Sequence, residues 1–287
     1  MSDAVWPNLF VVGAPKAGTT SLWRYLGEHP DIFMSPDKEP GFFSSRSALA
    51  SRDGAQTYLD LFAQAGDQRL RGEASPTYLS RKRAPGAIHS VSPQARIVIS
   101  LREPVERTQS SFLSLVSDGV EERTFAQAIA DDLAGHRVPG RPLYVKPALY
   151  SPGVSRYLER FGDQVHVLFF EHLVRDPAAT MRKLYRFLEV DEEFAASLEP
   201  KAHNQFRVPR TRAVKRLRPA RRVVRTLVPE RVHERIADAT TRPAEKPDPD
   251  QESVRALREA YGPDVAALRD LLGQRLPKAW ERQFPAQ

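Results

Sequence analysis

Asn8-Leu-Phe-Val-Val-Gly13-Ala-Pro-Lys16-Ala17-Gly18-Thr19-Thr20-Ser21 is the stretch that decides the fold. Its first part, Asn8 to Gly13, is an apolar run closed by a glycine, the pattern of a strand buried on both faces of a parallel sheet. A glycine-rich turn follows, and then a helical stretch from Thr19 to about Glu28 that sets Leu22, Tyr25 and Leu26 on one side. Strand, turn and helix in that order open an α/β unit. Backbone N–H groups at a helix N-terminus form an anion site, and glycines let that backbone approach a ligand closely. A nucleotide P-loop reads GxxxxGK[ST]. Gly13 and Gly18 keep this spacing, but Thr19 stands at the lysine position and the lysine comes earlier, at Lys16. The loop therefore suits a phosphate or sulfate while departing from the magnesium–triphosphate design. A glycine turn by itself is more often structural; a lysine and two threonines in the same turn reverse that weighting.

Working outward, Ala95 to Leu101 reads as a second strand, and Pro104 opens a helix that runs through about Val116. Val165 to Phe170 is a third strand, after which Asp176-Pro177 caps and starts a helix whose Met181, Leu184, Tyr185 and Leu188 form a stripe. Arg69 to Ala74 is a weaker strand. The alternation predicts a mainly parallel central sheet covered on both faces, a P-loop-like three-layer α/β/α fold. From about Arg207 the composition changes to arginine and proline, followed by a linker-like Arg242 to Pro249. A last helical section, Gln251 to Leu272, carries Leu257, Tyr261, Val265, Leu268 and Leu272 at helical intervals, with Trp280 placed to pin its end. We expect a core over residues 1–206 and a basic, helical C-terminal region, 207–287, packing on it as part of the same domain.

Composition narrows the function. With 287 residues, 41% hydrophobic and 28% charged, the chain is globular and long enough for a real core. It has no cysteine, which excludes disulfides, thiolate metal sites and a cysteine nucleophile. Its seven histidines show no metal-ligand spacing, so no bound metal is expected. The apolar runs are strand-sized, far below the roughly 18 residues that span a bilayer. Asp3 and no basic residue precede the first of them, which predicts no signal peptide and a cytoplasmic protein. The net charge of +7 is uneven: Lys201 to Arg242 holds thirteen Lys and Arg against three acids, so that block carries +10 and the rest about −3. Such a block fits an anionic ligand, a nucleic acid or a membrane surface, and equally a solvated helical face. It lacks aromatic interleaving beyond Phe206 and any helix-turn-helix or RNA-binding motif, which argues against a nucleic-acid partner.

Four further motifs follow the loop: His29-Pro-Asp31; Lys38-Glu39-Pro-Gly-Phe42-Phe43; Gly72-Glu-Ala-Ser75-Pro76-Thr-Tyr78-Leu79; and Leu101-Arg102-Glu-Pro104-Val-Glu106-Arg107, with Ser110 eight residues after Arg102. In order and spacing, over residues 9 to about 205, they resemble the sulfotransferases that use 3′-phosphoadenosine 5′-phosphosulfate (PAPS), in particular the heparan-sulfate-type enzymes and their bacterial relatives. The resemblance implies PAPS as donor, adenosine 3′,5′-bisphosphate as product and no metal. It implies that Lys16, Ala17, Gly18, Thr19, Thr20 and Ser21 bind the 5′-phosphosulfate, with Lys16 neutralising the leaving oxygen. Arg102 and Ser110 correspond to the 3′-phosphate ligands. Arg102 leaves a strand end and Ser110 lies about two turns along the next helix, so both can face the crevice at the strands' carboxyl edge. Glu39 corresponds to the general base that takes the proton of an acceptor hydroxyl on a glycan, glycolipid or natural product. His203 to Arg207, with Arg210 and Arg212, is assigned to covering the cofactor.

The pattern also departs from the heparan type. Ala74 stands where those enzymes carry a lysine that touches the polysaccharide, Gly41 stands in place of histidine, and no cysteine is present for a C-terminal disulfide loop. Glu73 is expected to hold loops together by pairing with an arginine, and Lys38 to be a solvated lysine. The rival enzyme is a P-loop small-molecule kinase, against which stand the displaced lysine and a second strand that runs into Arg102 instead of an aspartate. The rival of another class is a non-enzymatic nucleic-acid binder.

Overall fold

The structure is a computed structural model, and it describes residues 5–118, 120–139, 143–199, 207–209, 241–243, 246–273 and 276–285. Five strands, β1 (Leu9–Gly13), β2 (Ile32–Met34), β3 (Leu70–Ala74), β4 (Arg96–Leu101) and β5 (Val165–Phe169), form one sheet in the order β2-β3-β1-β4-β5. Every pairing is parallel. Val11 lies opposite Ala74 on one side of β1 and opposite Val98 on the other, so β1 has neighbours on both edges and helices on both faces. That placement is why its five residues are all buried and read as an unbroken apolar run. β2 escaped the sequence reading because three residues are too few to show a period.

The helices in chain order are α1 (Thr19–Glu28), α2 (Arg46–Ala50), α3 (Arg52–Asp60), α4 (Ala84–Val91), α5 (Pro104–Ser117), α6 (Phe125–Leu133), α7 (Ser151–Phe161), α8 (Phe170–Arg175), α9 (Pro177–Phe187), α10 (Gln251–Leu272) and α11 (Lys278–Gln283). On one face of the sheet, Leu22, Tyr25 and Leu26 of α1 and Met181, Leu184 and Tyr185 of α9 meet Leu9, Val11, Val98 and Leu168. Each such side chain contributes about 1.5–3 kcal/mol through burial. Asp176 starts α9 as expected, its carboxylate accepting from the Ala179 N–H at 2.9 Å. On the other face α7 packs against α4, β4 and β5, with Ile88, Val154, Tyr157 and Phe161 buried. This is the three-layer α/β/α arrangement. None of the described helices is long and apolar enough to cross a membrane.

Contacts group the described residues into two units. The first holds the sheet and comprises residues 5–103, 149–199 and those from Tyr261 onward. Within it Trp280 of α11 is fully buried against Phe169 and Tyr150, with ring centroids 5.6 and 6.1 Å away. Asp264 of α10 accepts from the Tyr150 N–H at 2.7 Å and from the Ser151 hydroxyl at 2.6 Å, placing a carboxylate at the start of α7 where the helix dipole favours one. The second unit runs from Pro104 to Ala148 and through the described residues up to Ala260. Its centre is Glu121, which accepts from the Tyr144 hydroxyl and the Arg123 guanidinium, each at 2.7 Å. Burial works against the ionised Glu121, but these donors and two backbone N–H groups hold its carboxyl down to about 2. β6 (Arg207–Pro209) and β7 (Thr241–Pro243) pair antiparallel in this unit.

Gly153 shows how closely α7 approaches the segment after β3. A Cβ there would lie 2.7 Å from the Leu79 carbonyl oxygen, a backbone atom that cannot turn aside. Gly153→Ala should therefore destabilise the protein despite the helix propensity of alanine. Overpacking costs about 1–3 kcal/mol and glycine-to-alanine gains at most about 1 kcal/mol. Urea unfolding of the two proteins measures the difference.

Candidate active site at the carboxyl edge of the sheet

β1 ends in a turn whose shape depends on two missing side chains. A Cβ at Gly13 would sit 2.5 Å from the Leu79 Cβ, and one at Gly18 would sit 2.8 Å from the Phe170 ring. Gly18 also has φ +78°, and Lys16, without the freedom of glycine, has φ +70°. A non-glycine residue in the left-handed region costs about 1–2 kcal/mol, and such strain persists where its surroundings over-determine it. The surroundings here are β4. The Ala14 N–H donates to the Ser100 carbonyl at 2.6 Å, and the Ser100 hydroxyl donates to the Ala17 carbonyl at 2.5 Å. Arg102 Nη1 donates to the Lys16 carbonyl at 3.4 Å. With its carbonyls held by β4, the turn feeds directly into α1.

The first intrahelical bond of α1 runs from the Leu22 N–H to the Gly18 carbonyl at 3.1 Å. The N–H groups of Thr19, Thr20 and Ser21 therefore have no acceptor within the helix. Among the described residues no side-chain cap bond is made at this end, and no acidic residue lies in the first turn, an arrangement whose positive helix end suits an anion. Ala17 and Thr19 are buried, Thr20 and Ser21 half-buried, and Lys16 exposed. Arg102, at the end of β4, is buried with its guanidinium 4.7 Å from the centre of the Phe170 ring, and its carbonyl accepts from the Tyr150 hydroxyl at 2.9 Å. Phe170 thus touches both Arg102 and the space beside Gly18. Sequence reasoning saw it only as the end of a strand.

Glu39 lies on the segment that crosses the carboxyl end of β3. Its N–H donates to the Ala74 carbonyl at 3.1 Å, its φ is +64°, and its carboxylate is exposed and paired with Lys38. Lys38 is not the solvated lysine expected; its side chain is only 11% exposed, drawn in along its neighbour. Because β3, β1 and β4 are adjacent and parallel, Glu39, the Lys16 turn and Arg102 all follow the carboxyl ends of neighbouring strands, where open α/β sheets bind ligands. Ser110 belongs to the second unit, half-buried on α5. Arg207 lies in β6, its side chain outside what is described, and His203, Arg210 and Arg212 lie outside the described residues altogether.

Residues 41–194 match the model of the sulfotransferase family. The chain belongs to that family. A sulfotransferase from Alicyclobacillus acidocaldarius has the same fold, with a TM-score of 0.71 and 30% identity over 97% of this chain and 100% of the other. Among curated relatives, the heparan sulfate glucosamine 3-O-sulfotransferase 6 of Homo sapiens is 29% identical over 185 residues, 64% of this chain and 52% of that protein. The mouse enzyme 3A1 of the same description is 25% identical over 183 residues, 63% of this chain and 45% of its own. The chain spans about half the length of the curated relatives it matches. The kinase alternative finds no support in these matches.

One buried group of this sulfotransferase departs from expectation. Glu73, at the end of β3, has no arginine partner among its hydrogen bonds. It accepts instead from three hydroxyls: Tyr58 and Tyr78 at 2.8 Å each and Ser75 at 2.6 Å. Three neutral donors satisfy a carboxylate whose own burial is complete. Tyr58 comes from α3, outside any motif, so only the folded chain could supply it. Burial pushes the Glu73 carboxyl up to about 7, and the three hydroxyls pull against that rise without cancelling it. Between its ordinary value of 4.5 and about 7 the folded state holds this proton and the unfolded state does not. Stability must then fall as pH rises through that window, by about 1.4 kcal/mol per unit crossed. Glu73→Gln should lack this component. Unfolding free energies of both proteins at about pH 5 and pH 8 should show the variant gaining on the wild type at the higher pH.

Proposed function

We propose that this sulfotransferase takes its sulfuryl group from PAPS, releases adenosine 3′,5′-bisphosphate and delivers the group to a hydroxyl of a glycan, glycolipid or small natural product. The observation that carries this reading is the donor set at the β1–α1 turn: three first-turn N–H groups, no acid, and no Cβ at Gly18 to block a close approach. A phosphate fits such a set, and a basic side chain at Lys16 and another at Arg102 suit a nucleotide with two separate phosphates. When bound, PAPS supplies the activated sulfuryl group. The amides of Thr19, Thr20 and Ser21 and the hydroxyls of Thr19 and Thr20 hold the 5′-phosphate. Lys16, on the turn itself, would bring its ammonium to the charge that develops on the leaving oxygen, a role that calls for no metal. Arg102, backed by Phe170, takes the 3′-phosphate.

Glu39 is the general base. A hydroxyl is a poor nucleophile until its proton is taken, and a carboxylate within hydrogen-bond reach can take it. The relatives named above are sulfotransferases of a sugar hydroxyl by description, which supports a hydroxyl acceptor here. Ala74, where the heparan-type pattern has a lysine, argues for an acceptor held differently from theirs.

Two measurements test the assignment. Glu39→Gln keeps size and polarity but cannot take a proton, so turnover should fall by about 10²–10⁴ while adenosine 3′,5′-bisphosphate binds as before. Turnover within a fewfold of wild type would remove Glu39 from the role. Arg102→Ala should weaken adenosine 3′,5′-bisphosphate by about 10- to 150-fold, the loss of one charge-assisted contact, and adenosine 5′-phosphate far less. Equal losses for both nucleotides, read by calorimetry, would assign Arg102 to the fold or to the other phosphate.

A further inference from the structure

Glu39 and Gly41 both adopt positive φ, +64° and +67°, within three residues of each other. Glycine adopts such a φ freely, but a glutamate holds it only where its surroundings over-determine it. The ties run to β3 and the turn after it. The Ser35 N–H donates to the Gly72 carbonyl at 2.7 Å and the Glu39 N–H to the Ala74 carbonyl at 3.1 Å. Past Glu39 the partners change from backbone to side chain. The Gly41 N–H donates to the Ser75 hydroxyl oxygen at 3.0 Å, and the Phe43 N–H donates to the Tyr78 hydroxyl oxygen at 3.2 Å.

A hydroxyl donates one proton and accepts through its lone pairs, so a strong acceptor for the proton fixes which way the lone pairs turn. Both of these protons go to Glu73. In its ionised form the Glu73 carboxylate is an acceptor only and sets the direction of each bond: Ser75 and Tyr78 donate to it and turn their lone pairs toward Gly41 and Phe43. Glu73 is fully buried, and its hydrogen bonds run to Tyr58, Ser75 and Tyr78, so its influence passes through these neighbours. We infer that Glu73 is a positioning residue for Glu39, acting through Ser75 and Tyr78 to fix the segment that presents the base. The inference rests on the assignment of Glu39 proposed above. Below the segment, Phe42 and Phe43 are buried against Tyr58, which donates the third hydrogen bond to Glu73, so the carboxylate also fixes the ring that supports the segment from beneath.

Glu73→Gln is the direct probe, because the amide nitrogen donates where the carboxylate accepted and reverses one bond of the relay. It should lower kcat by about 10- to 100-fold, the effect of misplacing a reacting group by an ångström or so. The affinity for adenosine 3′,5′-bisphosphate, measured by calorimetry, should stay within about twofold, since the nucleotide ligands are on other segments. A positioning role is separated from a merely structural one by repeating the change in the Glu39→Gln background. With the base already gone there is nothing left to position, and the second substitution should cost less than about twofold. Equal fold-losses in both backgrounds, a collapse of nucleotide affinity, or a Glu73→Gln enzyme with wild-type kcat would each overturn the inference. Ser75→Ala, which removes the acceptor for the Gly41 N–H and leaves Glu73 in place, gives the same readout if Glu73→Gln fails to fold. Failure of the base assignment is seen separately, as near-wild-type turnover of Glu39→Gln alone.

Discussion

The parallel pairing of β1 with β3 on one edge and β4 on the other is the constraint on which the site depends. Parallel strands end together, so three segments far apart in sequence emerge at one edge: the Lys16 turn from β1, the Glu39 segment braced on β3, and Arg102 from β4. Nothing in the local sequence of any one of them requires the other two. The pairing holds because β1 is apolar on both faces and has helices on each, which leaves no alternative to the centre of the sheet.

Once those ends are together, the backbone of the turn must come close to its neighbours, and here absent atoms matter as much as present ones. Gly13 makes room for Leu79 and Gly18 for Phe170. The carbonyls of Ala17 and Lys16 are drawn to Ser100 and Arg102, and the N–H groups of Ala14 and Ala17 are spent on the Ser100 and Ala14 carbonyls, so the turn is braced from within. Ser100 is wholly buried, and its hydroxyl is satisfied by the turn it shapes. The same logic governs the other side of the edge. There the buried Glu73 imposes direction on two hydroxyls, which in turn satisfy two backbone N–H groups beside Glu39. A buried carboxylate with too few partners would be expensive; one with three donors becomes a fixed point.

The readable part of the sequence was the part with local period or local chemistry. β1, β4 and β5 were legible as apolar runs, α1 and α9 as helical stripes, and the Gly13–Gly18 segment as the turn between strand and helix, because each is set by neighbours within a few residues. Lys16, Thr19 and Arg102 could be named from motif spacing, and all three fall at the carboxyl edge. β2 was missed because three residues carry no pattern. Lys38 was misjudged because its partner is the adjacent Glu39 on a strained segment, and sequence statistics treat a lysine between prolines as solvated. Phe170, legible only as the end of a strand, backs Arg102.

The sequence by itself determined the layer architecture, the glycine turn between β1 and α1 and the family to which the chain belongs, since these follow from spacing, apolarity and glycine placement along a short stretch of chain. Only the tertiary structure decided which groups hold one another in place. Glu73 was expected to meet an arginine and meets Tyr58, Ser75 and Tyr78 instead, two of them from its own motif and one from α3. The physical reason is that a buried carboxylate takes whatever donors the packing brings within about 3 Å. That set is fixed by how α3 and the segment around Phe42 fold over β3, which no spacing along the chain encodes.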